Sequence, residues 1–200
     1  MTPTDVLNIF IEQHRLCSPL DFEADPYVEL DFDSTIEEWS DANDLLGWRK
    51  LYPFLNDSFQ IDVSEEDWKN ALTPSSKKKL KDVCELISKY SKHKNIEPIK
   101  LLGSECLSAA IFLTLKKYLQ RRDVDVSDLK PSSPIEPYLD KYFSEMVEQI
   151  TIVSKGKKVF EKFEVSNTGL LNIFKKSELL TGEIRTFRDV SLKIVAVSQN

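Results

Sequence analysis

Eight apolar side chains, Ile135, Tyr138, Leu139, Tyr142, Phe143, Met146, Val147 and Ile150, recur at the i, i+3, i+4, i+7 spacing of one helical face. Such a stripe is stable only when another element covers it, so it dictates a packed core in this half of the chain. Its start is marked by Ser133-Pro134-Ile135-Glu136, a capping-box pattern with proline at the first helical position. The natural partner lies upstream. From Ser104 to Gln120 the apolar residues Cys106, Leu107, Ala110, Ile111, Phe112, Leu113, Leu115 and Leu119 cover most of a helix circumference, the pattern of a central helix.

After residue 150 the period shortens. Segments 150–153 and 159–165 flank Ser154-Lys155-Gly156-Lys157, which reads as a β-hairpin. Asn167 to Leu180 reads as a helix ended by Gly182, and Glu183–Val190 and Ser191–Val197 as two further strands. The expectation for residues 97–200 is therefore an α+β module, a helix pair packed on a small antiparallel sheet.

The first half is helical and acidic. A helix is expected over Asp5–Leu16, with Thr4 or Asp5 as cap. A capping box over Ser34 and Glu37 marks a helix start, and a second helix is expected from about Asp41 to Tyr52, ended by Pro53. Ser64-Glu65-Glu66-Asp67 caps a third, and Leu80, Val83, Cys84, Leu86 and Ile87 are the buried face of a fourth over 76–90. Lysines over 89–94 and Pro98 mark a boundary, which gives an acidic helical module over 1–92. No internal repeat is visible.

Charge divides as well, but earlier in the chain: counted at residue 94 the two parts carry −8 and +2. Residues 1–73 carry 17 acids and 4 bases, and the remaining 127 carry 16 acids and 23 bases. Such asymmetry points to separate modules or to a charged partner. The basic residues are scattered over helices and loops without a row of aromatics, which argues against nucleic acid. The N-terminus lacks the pattern of a secretory signal, and the longest apolar run, Cys106 to Leu115, is too short to span a bilayer. Cytoplasmic placement follows, with Cys17, Cys84 and Cys106 as buried reduced thiols and no membrane contact.

Catalytic signatures are sparse. His14 and His93 have no metal-ligand companion, no Gly-x-Gly loop is present, and there is no nucleophile elbow. No cofactor and no metal are expected. The acids Asp21, Glu23, Asp25, Asp31 and Asp33 lack the glycine turn of a calcium loop.

Two stretches carry a family resemblance. Leu30-Asp31-Phe32-Asp33-Ser34-Thr35-Ile36 resembles the Asp-x-Asp-x-Thr signature of haloacid-dehalogenase-type phosphatases over seven residues. That resemblance implies Mg²⁺, Asp31 as nucleophile and Asp33 as general acid, at the end of a strand. Over residues 1–90, the helix order, the turn at Thr35-Ile36-Glu37-Glu38-Trp39, the stretch Phe59-Gln60-Ile61-Asp62-Val63-Ser64-Glu65-Glu66-Asp67 and the helix Leu80–Ile87 resemble an acyl carrier protein. Carriers hold a phosphopantetheine arm on the serine of an Asp-Ser-Leu triplet. Here that triplet falls on Asp44-Leu45-Leu46, and Leu45 has no hydroxyl to form the phosphodiester.

The favoured reading is a non-enzymatic interaction or adaptor protein. Its unarmed, carrier-like module would dock a basic protein surface through Asp41, Asp44, Glu65, Glu66 and Asp67. The alternatives are a phosphatase using Asp31 and Asp33 and a nucleic-acid-associated protein using the basic half.

Overall fold

The fold is α+β. The computed structural model describes residues 1–93, 95–101, 103–166 and 178–199, in two compact units. The first holds Met1–Asn95 with Lys155–Lys157; the second holds the rest of the chain. No described helix is long and apolar enough to cross a membrane.

In the first unit, α1 (Pro3–Cys17) opens on a reciprocal box between Thr2 and Asp5, earlier than the cap read from sequence. The expected helix over 41–52 is two helices. A box between Thr35 and Glu38 starts α2 (Ile36–Ala42), Asp44 then takes a left-handed φ of 47°, and the chain re-enters helix at α3 (Trp48–Ser58). Pro53 lies inside α3 and does not end it. It occupies the exposed face, while Leu51 and Leu55 on the other face are buried and hold the helix through the missing main-chain bond.

Ser64 caps α4 (Glu65–Leu72) as the sequence implies. The last helix, α5 (Leu80–Tyr90), begins four residues later than expected. The segment before it is held extended: the amide of Ile36 donates to Lys78 O at 2.9 Å, and those of Leu80 and Lys81 donate to Ser34 O and Phe32 O at 2.8 and 3.2 Å. α5 packs on α1. Leu80, Val83, Cys84 and Ile87 are wholly buried, each large apolar side chain contributing about 1.5–3 kcal/mol. Phe10 joins this core to Trp39 and Phe59, at ring-centroid distances of 4.7 and 5.9 Å.

In the second unit, Ser104–Cys106 is a strand and not the start of a helix. β1 (Ile99–Leu101) pairs antiparallel with β2 (Ser104–Cys106), Ile99 opposite Cys106, around Gly103 at φ 86°. The central helix α6 (Leu107–Arg121) follows. The long aromatic helix is broken: α7 (Glu136–Lys141) and α8 (Phe143–Ser154) meet at Tyr142, whose backbone leaves the helical region. α6 packs on α8, as the apolar stripes require, and also on a helix the sequence does not announce.

That helix is α9 (Phe187–Ser198), which replaces the two strands expected over 183–197. Valine and isoleucine favour strand, but Thr186 and Asp189 form a capping box, and Phe187, Val190, Ser191 and Ile194 fall on one helical face. The hairpin at 150–165 is also corrected. α8 runs through Thr151 and Ser154, whose hydroxyls are satisfied by helix carbonyls, and Lys155 and Gly156 at φ 55° and 71° end it. The strand pairing that does occur is β3 (Glu164–Ser166) with β4 (Glu178–Leu180), antiparallel, Val165 opposite Leu179. Of the helix expected over 167–180, the last three residues are thus strand, and 167–177 lie outside the described residues.

Candidate functional site

In the first unit, the loop before α2 and α2 itself enclose an open cavity of about 540 Å³. Its lining is Asp25, Val28, Glu29, Asp31, Asp33, Ser34, Glu38, Asp41 and Ala42. Six of these nine side chains are carboxylates, and none is a base.

The loop holds the acids there by capping itself. Asp31 accepts from the amides of Asp33 and Ser34, both at 2.8 Å, and the Ser34 hydroxyl accepts the Asp31 amide at 2.9 Å. Glu38 accepts the Thr35 amide at 2.7 Å and its hydroxyl at 2.9 Å. Asp25 accepts the Tyr27 amide, while its own amide donates to Ala42 O and ties the loop to the end of α2.

Hydrogen bonds from Ser34 and Asp33 hold the Asp31 carboxyl below its ordinary range, and those from Thr35 do the same for Glu38. Both stay ionised into acid. Among the described residues, the carboxylates of Glu29, Asp33 and Asp41 have no hydrogen-bond or ion-pair partner. The Lys79 ammonium donates to the Asp33 main-chain carbonyl, not to its carboxylate.

The five residues singled out from sequence do not form one cluster. Asp41 lies on α2 in the cavity wall. Asp44 follows α2 and faces Glu23, whose pKa it raises by like-charge repulsion and a shared hydrogen bond. Glu65, Glu66 and Asp67 occupy the first turn of α4, where Asp67 meets the Ser64 hydroxyl at 2.8 Å and Glu65 meets the Tyr52 hydroxyl at 3.5 Å. Of the acidic stretch that the sequence shows without a calcium-loop glycine, Asp21, Glu23, Asp25, Asp31 and Asp33, the last three line the cavity; sequence reading stops there. It missed Glu29 and Glu38, and the signal for Glu38 was the box Thr35–Glu38.

Aspartates at 31 and 33 sit in a turn, and residues 28–30 before them are not strand. The phosphatase resemblance requires a strand ending at the nucleophile. In its place Asp31 serves as the acceptor that closes its own loop. Among the described residues, no group of three or more His, Cys, Asp or Glu is arranged to hold a metal ion.

The thiols differ more than their sequence setting implies, since only Cys84 is buried. Burial and Glu85 push it up to about 12, and partial burial and Asp21 push the half-buried Cys17 up to about 11. The Ser108 hydroxyl and the Ala109 amide at the start of α6 hold Cys106 below the usual thiol value. Iodoacetamide at pH 8 is expected to alkylate Cys106 roughly tenfold or more faster than the other two, as followed by peptide mass spectrometry. Equal rates would contradict these environments.

No family model, curated protein or solved structure matches this chain.

Proposed function

We propose that the first unit is a non-catalytic docking module for a basic protein surface, carrier-like in helix order but without the attachment serine. The observation that carries this reading is the cavity, where six carboxylates converge without a lining base. A field of one sign focused in a concave site raises the local concentration of cations and orients a basic partner on approach. The rim loop adds two aromatic side chains held out in solvent, Phe22 at 94% and Tyr27 at 90% exposure. Exposed aromatics of this kind are the residue type that anchors interfaces.

The carrier-like part of the reading draws on the order α1, long loop, α2, α3, α4, α5 and on Asp44-Leu45-Leu46 lying just before α3. With leucine at 45, such a module has recognition to offer and no arm.

The test uses the intact protein and a labelled amphipathic peptide with four lysines on one helical face. The triple variant Glu29→Gln, Asp33→Asn, Asp41→Asn removes three charges that have no part in the loop's bonds. Peptide affinity is expected to fall about tenfold or more in this variant, and by a similar factor when the wild type is moved to high salt. Salt-insensitive binding, or unchanged affinity in the triple variant, would overturn the proposal. So would Mg²⁺-dependent hydrolysis of p-nitrophenyl phosphate that is lost in Asp31→Asn.

A further inference from the structure

We infer that the two units are two versions of one structural module, in which Asp31, Asp33 and Glu38 of the first give way to Lys130, Ser132 and Pro137 in the second. This correspondence is independent of the docking proposal.

Each unit is closed by the same joint. In the first, the amide of Ile36 donates to Lys78 O at 2.9 Å, Leu80 to Ser34 O at 2.8 Å and Lys81 to Phe32 O at 3.2 Å. In the second, Ile135 donates to Arg185 O at 3.0 Å, Phe187 to Ser133 O at 3.2 Å and Arg188 to Pro131 O at 2.7 Å. One offset of 99 residues relates the first strand of both joints, and one of 107 relates the second. The isolated bridges Thr35↔Lys79 and Pro134↔Thr186 obey the same offsets.

The side chains that build the joint correspond as well. Ser34 Oγ accepts the Asp31 amide at 2.9 Å, and Ser133 Oγ accepts the Lys130 amide at 3.0 Å. Asp82 accepts the Lys79 amide at 3.1 Å, and Asp189 accepts the Thr186 amide at 2.8 Å. From Leu80 to Tyr90 and from Phe187 to Val197, buried, half-buried and exposed positions follow in the same order without exception. The helix each closes upon is equivalent too: α5 packs on α1, and α9 on α6. Val6, Leu7 and Phe10 stand in α1 where Ile111, Phe112 and Leu115 stand in α6, all six buried.

Sequence reading finds no repeat because little of this needs identity. Over residues 80–90 only Asp82, Val83 and Ile87 recur, as Asp189, Val190 and Ile194, and the offset changes wherever a loop differs in length. The second copy then acts as an internal control on the first. At the positions of Asp31, Asp33 and Glu38 it has Lys130, Ser132 and Pro137, while Glu29 and Asp41 keep an acid as Asp128 and Asp140, yet it forms the same joint. The acids at those three positions are therefore not a condition of the joint.

Exchange of the closing segment tests this in the intact chain. Residues 78–87 replace 185–194 in one variant; in a control, the segment shifted by one residue, 77–86, replaces them. In register, Leu80 fills the site of Phe187 and Asp82 the cap of Asp189. Shifted, Lys79 enters the buried site of Phe187 and the helix face turns by about 100°. The in-register graft is expected to keep its melting temperature within about 10 °C of the parent. It should also keep protection of the Ile135 amide from exchange within about tenfold. The shifted graft should lose both, with Ile135 protection down by roughly a hundredfold or more. Equal behaviour of the two grafts, or better behaviour of the shifted one, would overturn the inference.

Discussion

Replacing Glu148 with alanine is expected to destabilise the second unit by about 3–5 kcal/mol. Glu148 lies on α8 with its side chain 5% exposed, and Arg122, at the end of α6, is 14% exposed. Its two carboxylate oxygens meet Arg122 Nε at 3.1 Å and a terminal guanidinium nitrogen at 3.2 Å, and Gln149 Nε2 donates to it at 2.5 Å. Alanine leaves the guanidinium in the core without its carboxylate, and the cost is the desolvation of that charge, not the worth of the pair. The double variant Arg122→Met, Glu148→Leu removes both charges and is expected to recover most of the loss. All three tryptophans, Trp39, Trp48 and Trp68, lie in the first unit, so the measurement is far-UV circular dichroism or amide exchange in α6 and α8. A single variant within about 1 kcal/mol of wild type would show that the pair is not buried in this way.

Glu148 also shows where sequence reading stops. The stripe through Met146, Val147 and Ile150 announced a buried helix face, but Glu148 and Gln149 between them and Thr151 after them are buried too. Thr151 is satisfied by carbonyls of its own helix and Gln149 by Glu148, but Glu148 needs a partner from another element, and Arg122 is 26 residues away. Periodicity reports the face that seeks cover and is silent on the partner that makes a charge tolerable. The same reason explains α9. Its valines and isoleucines read as strand by local preference, while the cap at Thr186 and the packing on α6 decide for helix. At the candidate site, charge was legible and convergence was not. Asp25, Asp31 and Asp33 stood out as an acidic loop, but the cavity exists because that loop caps itself and is tied to Ala42 at the end of α2.

Asn56 is the residue on which the second large effect is expected, through contacts no pattern marks. Its Oδ1 accepts the Val63 amide at 3.2 Å and the Trp68 indole N–H at 2.9 Å, while its Nδ2 donates to Val63 O at 2.9 Å. Val63 is 2% exposed and Trp68 fully buried, so neither main chain nor indole has water to turn to. Asn56→Leu is close in volume and removes all three bonds. At about 1 kcal/mol for each, with a further penalty for the stranded indole N–H, the first unit should lose about 2–4 kcal/mol. Asn56→Asp keeps an acceptor for both N–H groups and loses only the donor to Val63 O, so it should fall between Asn56→Leu and wild type. Tryptophan fluorescence in a urea titration reads both, because Trp68 is itself the reporter. The turn that Asn56 pins delivers Ser64 to the cap of α4 and sets Glu65, Glu66 and Asp67 on its first turn. Loss of stability in Asn56→Leu should therefore come with loss of amide protection at Asp67, whose N–H is held by Ser64 Oγ at 3.1 Å. If protection at Asp67 survives while the unit is destabilised, the acids of α4 are positioned by the cap alone and not by the turn before it.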